Sequence, residues 1–234
     1  MPVVELREVE KRYQEGETVI RAVDGVSLTL EAGEFAVLAG PSGSGKSTLL
    51  NLVGGLDRPD AGEVWLDGAP TRDRSDDDLT DLRRRRIGFV FQAYNLVPVL
   101  TAYENVQLIL QIQGVPAARH ADAILPLFRE LGLEGLEHRF PPQLSGGQQQ
   151  RVAVARAIIG SPAVVLADEP TANLDSDTAR HLLEMMARLN AERKVTFLFS
   201  SHDPMVIGFA HRVIRLHDGK VQSDDTKEEG HVPA

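Results

Sequence analysis

The chain has no cysteine among its 234 residues. That excludes disulfides and thiolate zinc sites and gives no support to an oxidising compartment, so a cytosolic address is the default expectation. No apolar run approaches the ~20 residues that would span a bilayer. The opening segment, MPVVELREVEKRY, alternates apolar with charged residues and lacks the long apolar centre of a signal peptide. An excess of positive charge is missing too. Against 34 acidic side chains stand 25 basic ones, a formal charge of −9, which argues against a general nucleic-acid binder. The seven histidines show no H-x-x-x-H spacing, so a histidine metal site is not expected. No internal repeat is evident.

What remains is an ordinary folded composition, 42% apolar and 25% charged. The length suits one large α/β domain, or one with an inserted subdomain. The first thirty residues read as β-rich, with AVDGVSLTL a strand pattern interrupted by an Asp24-Gly25 turn. EFAVLAG is a short, continuously apolar strand of the kind buried on both faces, and a helix follows from Lys46 to about Val53. GEVWLDGAP and IGFVFQ supply two more strands. From about 93 to 160 the character turns helical. Thr101 and Glu104 have capping-box spacing, and the next helix holds Pro126, where a kink or break is expected. After Gly160 strands and helices alternate again, with AVVLADE, a helix from Asp175 to Glu192, VTFLFSS, a short helix and RVIRLHDGKV. That alternation implies a parallel sheet with helices on both faces and a helical insertion. Residues 223–234 read as a polar, disordered tail. Arg83 to Arg86 suit a solvated helix end facing the negative end of the dipole; the alternative is contact with a partner or with lipid phosphates.

The chemistry concentrates in a few places. GPSGSGKST fits G-x-x-x-x-G-K-[ST] from Gly40 to Ser47, with a strand before and a helix after. Gly40, Gly43 and Gly45 let the backbone bend into a nest of N–H groups around phosphate oxygens. Lys46 adds a mobile charge for the β- and γ-phosphates, and the Ser47 hydroxyl is placed for Mg²⁺. In VVLADEP an apolar strand delivers Asp168 and Glu169 to the sheet's C-terminal edge, where such folds hold ligands. Two adjacent carboxylates repel. Mg²⁺ accounts for Asp168, through a bound water, and Glu169 is left to orient the attacking water or take its proton. Gln92 ends IGFVFQ and His202 ends VTFLFSSH; either alone reads as a loop residue, but together they suit a γ-phosphate sensor and, for Gln92, a metal ligand. LSGGQQQRVAVARA, Leu144 to Ala157, has the build of a second anion site at a helix start. It also reads as a tight turn with Ser145 capping a helix from Gln148 to Ile159.

From about Val3 to Val221 this set resembles the nucleotide-binding subunit of ATP-binding-cassette (ABC) transporters. The resemblance implies a P-loop NTPase core of RecA-like type, with a parallel sheet, an N-terminal antiparallel β subdomain and a helical subdomain inserted at about 93–160. It makes residues 1–222 one ATPase domain. It identifies Gly40–Ser47 as Walker A, Asp168-Glu169 as the end of Walker B and Gln92 as the Q-loop glutamine. Ser145, Gly146, Gly147 and Gln148 belong to the signature, Asp175 to the D-loop, and His202 is the switch histidine. ATP contacts are implied for Tyr13, which would stack on adenine, for Gly40, Pro41, Ser42, Gly43, Ser44, Gly45, Lys46, Ser47 and Thr48, and for Gln92 and His202. Mg²⁺ falls to Ser47, Gln92 and Asp168, and catalysis to Glu169, His202, Lys46 and Gln92.

The resemblance also explains why one chain carries two phosphate sites. In this family two cassettes pair head to tail, and the signature of one closes over ATP in the Walker A loop of the other. Integral membrane permease subunits would dock near Gln92 to Leu100, placing the protein on the inner face of the cell membrane with no direct contact to cargo. Stretches such as GGLDRPDAGEVWLDG and LADEPTANLDS are similar to the lipoprotein-release, macrolide-export and cell-division cassettes, with Ala172 where glycine is frequent. A cassette acting away from membranes and an importer cassette are the alternatives.

Overall fold

The computed structural model describes residues 2–227. The chain opens with a long hairpin, β1 (Val4–Glu15) and β2 (Thr18–Leu30), whose turn is at Gly16–Glu17. Asp24-Gly25 is no turn. β2 runs through it, and the register slips there by a bulge, with Val9 opposite Val26 but Lys11 opposite Val23. A left-handed Gly25 absorbs the extra residue. β4 (Ala61–Leu66) and β5 (Ala69–Pro70) complete an antiparallel sheet of order β2-β1-β4-β5.

The second sheet has β3 (Phe35–Ala39), β6 (Ile87–Val90), β7 (Val164–Asp168), β8 (Phe197–Ser201), β9 (Arg212–His217) and β10 (Lys220–Thr226), in the order β10-β9-β3-β8-β7-β6. All neighbours are parallel except β9 and β10. The helices are α1 (Lys46–Val53), α2 (Asp76–Arg86), α3 (Ala102–Ile112), α4 (His120–Glu130), α5 (Gly146–Ile158), α6 (Ser176–Arg193) and α7 (Pro204–Phe209).

Because strand side chains alternate between faces, the central strands feed two separate cores. Phe35, Val37, Val165, Ala167, Phe197 and Phe199 join the buried faces of α3 to α6. Ala36, Leu38, Leu166, Leu198 and Leu216 instead pack with α1 and with the apolar side of the antiparallel sheet, Val4, Leu6 and Leu30 among them. One face of the sheet is thus covered by helices, as expected. The other is covered by one helix and a second sheet, an arrangement strand-helix alternation cannot announce.

Three other expectations shift. Pro126 lies inside α4 without ending it. The helical region begins only at Ala102, since residues 93–101 form a loop. The polar segment from 223 continues as β10 to Thr226, with Asp224 gripped by Arg212 at 2.7 Å and Asp225 by Arg215 at 2.7 Å. The remainder of the expected tail, 228–234, lies outside the described residues. The four arginines do close a helix, α2, and each has a partner within the chain: Gly55 O and Thr80 for Arg83, Ile112 O and Asp81 for Arg84, Asp81 for Arg85, and Asp67 for Arg86.

Candidate functional site

β3 ends at Ala39, and the chain turns through Gly40–Gly45 into α1. The turn is tight enough to need glycine. A Cβ on Gly40 would lie 2.2 Å from Leu216 O, and one on Gly45, at φ 98°, would lie 2.1 Å from Ala22 O. Gly45 therefore lets the antiparallel sheet close on the loop. The Ser44 hydroxyl is buried and has no hydrogen-bond partner within the chain, a polar orphan inside a nest of N–H groups, which fits a phosphate. Lys46 Nζ donates to Gly40 O at 2.8 Å and Pro41 O at 2.9 Å, so the ammonium is drawn back over the loop.

β8 lies next to β3 and β7 one strand further on, and the end of β7 brings the acidic partners. Asp168 Oδ1 accepts from Ser47 Oγ at 3.1 Å and from the Ser200 hydroxyl. These oxygen donors fit Mg²⁺, which takes few protein ligands and completes its shell from phosphates and water. Among the described residues no group of three His, Cys, Asp or Glu could hold a metal unaided. Glu169 turns away from its neighbour by a left-handed backbone, φ 45°, strain of the kind that collects at functional sites. Its Oε2 accepts from Ser201 Oγ at 3.0 Å, and its Oε1 meets His202 Nδ1 at 2.8 Å. The two adjacent carboxylates are thereby separated, each held by its own hydroxyl from the end of β8.

The structure thus brings together Lys46, Ser47, Asp168, Glu169 and His202, and it places His202 on the carboxylate of Glu169. Sequence reasoning missed Ser200 and Ser201. Their signal was two hydroxyls closing the apolar run VTFLF. Gln92 lies two residues beyond β6 in exposed loop, and Asn173 Nδ2 donates to its carbonyl at 2.9 Å. No hydrogen bond joins its side chain to Ser47 or Asp168.

Tyr13, 40% exposed, is anchored by Asp57 Oδ2 at 2.8 Å. Lys11 Nζ lies 5.4 Å from its ring centroid and 2.7 Å from Asp57 Oδ1. Burial and then the Asp57 carboxylate push the phenol's pKa up, with Thr48 and Lys11 opposing.

Ser145–Gln148 lie elsewhere. α5 starts at Gly146, two residues before the expected Gln148, because Ser145 and Gln148 form a reciprocal capping box over both glycines. A Cβ on Gly147 would sit 2.3 Å from Thr178 Cγ2 of α6, so this glycine lets α5 and α6 touch. Asp175 caps α6, and the Thr178 N–H holds its carboxyl below the usual range. Buried Gln150 ties α5 to Pro170 O at 2.7 Å, just after Glu169. No hydrogen bond links Ser145–Gln148 to the Gly40–Ser47 loop within the chain. Beside the Gln92 loop runs an apolar groove of about 390 Å³ lined by Leu56, Phe89, Phe91, Ile109, Ile112 and Arg156 among others. Asn95 is its one contributor from the stretch 92–100, so the groove is built mainly by α2, β6, α3 and α5.

The uncharacterised ABC transporter ATP-binding protein MJ0796 of Methanocaldococcus jannaschii is 45% identical over 95% of this chain and 97% of its own length. The lipoprotein-releasing system ATP-binding protein LolD of Anaeromyxobacter dehalogenans is 46% identical over 95% of this chain and 94% of its own. The macrolide export ATP-binding/permease protein MacB of Hyphomonas neptunium is 46% identical over 95% of this chain but only 34% of its own length. The solved dimer of the M. jannaschii cassette, in a post-hydrolysis state bound to ADP and Pi, superposes with a TM-score of 0.88 over 97% of this chain and 100% of that one, at 43% identity. With the ABC transporter family model matching residues 23–172, the chain belongs to the ABC transporter ATP-binding family.

Proposed function

We propose that this chain is the ATP-hydrolysing subunit of a transporter for export or extraction, a single cassette with a helical insertion that begins at Ala102, working as a head-to-tail pair on the inner face of a membrane. The observation that carries this reading is the split of the site. The charged and acidic half converges at the ends of β3, β7 and β8, while Ser145–Gln148 opens α5 with no hydrogen bond to it. A second copy would supply the missing half, and relatives such as LolD and MacB support the direction of transport.

In this reading the Gly40–Ser47 backbone and Lys46 hold the β- and γ-phosphates. Ser47 and Asp168 would hold Mg²⁺, with Gln92 joining them, and the cation would supply charge neutralisation on the phosphate oxygens. Glu169, fixed through Ser201 and His202, takes a proton from the water whose oxygen bonds to the γ-phosphorus. The bridging P–O bond breaks, and its electron pair leaves with ADP. Tyr13 stacks on adenine. Loss of the γ-phosphate removes the contacts that close the pair, so hydrolysis opens it. The apolar groove beside the Gln92 loop is the dock for the membrane subunits.

The test uses purified protein. Glu169→Gln should lower kcat by about 10²–10⁴-fold while retaining ATP, and should elute at doubled mass when ATP is present. Ser145→Arg should abolish the doubled mass and leave nucleotide binding intact. Wild-type turnover in Glu169→Gln would sink the reading.

A further inference from the structure

The loop after Gln92 contains two successive residues with left-handed backbone, Tyr94 at φ 60° and Asn95 at φ 49°. Neither is glycine. An L side chain is disfavoured there by contact between Cβ and the carbonyl oxygen, and such residues persist only where the surroundings over-determine them. One side chain does so. From the third turn of α5, Arg156 Nη2 donates to Tyr94 O at 3.0 Å and Nη1 to Asn95 O at 2.5 Å. The two donors of a rigid planar fork thus grip two consecutive carbonyls and set the orientation of the peptide between them.

Arg156 is an unusual residue to find here. It is largely buried, and burial lowers its pKa. Among the described residues no carboxylate pairs with it, so its charge is met by carbonyl dipoles alone. The same loop meets the rest of the chain at two further points. Asn173 holds the carbonyl of Gln92, and the Tyr94 hydroxyl lies 2.8 Å from where a Cβ on Gly146 would be. Both ends of α5 therefore bear on this loop, its start through Gly146 and its later turns through Arg156. Arg156 and Asn95 also line the apolar groove, so an occupant of the groove would press on the clamp.

We propose that Arg156 is a positioning residue for Gln92, holding the left-handed Tyr94-Asn95 pair from the signature helix and so tying the pose of the catalytic loop to the helix that carries the second half-site. The inference rests on the ATPase reading above. It assigns Arg156 an effect on turnover and not on nucleotide capture, because its hydrogen bonds go to Tyr94 and Asn95 and not to the phosphate loop.

The experiment measures kcat and, separately, ATP affinity by equilibrium titration, with thermal melting as a control for folding. Arg156→Ala should lower kcat tenfold or more while ATP affinity stays within twofold. Adding Asn95→Gly should recover at least threefold of that loss, because glycine enters the left-handed region without the clamp. Arg156→Lys keeps the charge but offers no two-pronged planar fork, so it should show the same split more mildly. It carries the test should the alanine variant fail to fold. The idea is overturned if kcat stays within twofold of wild type, if ATP affinity falls in step with kcat, or if Asn95→Gly leaves the deficit unchanged. An inactive wild type would defeat the ATPase reading itself; an active wild type with indifferent Arg156 variants would defeat this inference alone.

Discussion

Asp57 shows how much of the proposed ATP site can rest on a residue outside every motif. It holds the Tyr13 hydroxyl with one oxygen and the Lys11 ammonium with the other. Partial burial would raise its pKa, but hydrogen bonds from Lys11, Tyr13 and the Arg58 N–H outweigh that and hold it below its ordinary 3.8. A carboxyl with a depressed folded-state pKa contributes stability above its unfolded value, and the contribution is lost as pH falls through the folded value. Asp57→Asn should accordingly flatten the fall in Tm below about pH 4. It should also raise the KM for ATP several-fold, since Tyr13 loses its anchor. A Tm series against pH and a nucleotide titration check both. The motif residues were legible in the sequence because glycine, lysine and paired carboxylates announce their chemistry. Asp57 was not, because its role depends on β1 lying beside the loop after α1.

Among the elements, α4 departs most from local rules. Pro126 cannot donate to Asp122 O, and a helix interior normally excludes it. The helix continues because Ile124, Leu127 and Phe128 are buried in the core beneath it, while Pro126 itself is exposed. Burial of three such side chains, at roughly 1.5–3 kcal/mol each, exceeds the ~3 kcal/mol penalty of an interior proline. Pro126→Ala should therefore stabilise the protein by about 1–3 kcal/mol, read as a higher urea midpoint, with ATPase activity unaltered. β2 teaches the same lesson in reverse. Asp24-Gly25 has the composition of a turn, yet pairing with β1 on both sides turns it into a bulge. Periodicity located both elements, but the competition between local propensity and packing was settled by neighbours distant in sequence.

For the whole molecule, the decisive feature is that the two proposed half-sites, Gly40–Ser47 with Asp168 and Glu169 on one side and Ser145–Gln148 on the other, share one chain without a hydrogen bond between them. Glu169 and Lys46 sit at the sheet edge, while Ser145 opens a helix whose polar ties run to Tyr94, Asn95 and Pro170. If a second copy completes the site, specific ATPase activity should rise with protein concentration and then level off, and dilution should lower it. A dilution series of steady-state rates checks this. Constant activity per molecule down to concentrations where light scattering finds monomers only would contradict it.

By itself the sequence determined the kind of chemistry. The residues from Gly40 to Ser47 and from Ser145 to Gln148 form their nests and caps from contacts a few positions apart, so local order suffices to specify them. Strand order β3-β8-β7 is different. It alone decided that Ser200 and Ser201 would hold the two carboxylates and that His202 would rest on Glu169, while the packing of the antiparallel sheet on the central one decided that Gly45 would meet Ala22 O. Only tertiary packing made Arg156 the clamp on Tyr94 and Asn95. Those pairings join residues from 23 to 62 positions apart, and which distant segments meet is set by how two cores fill on opposite faces of one sheet.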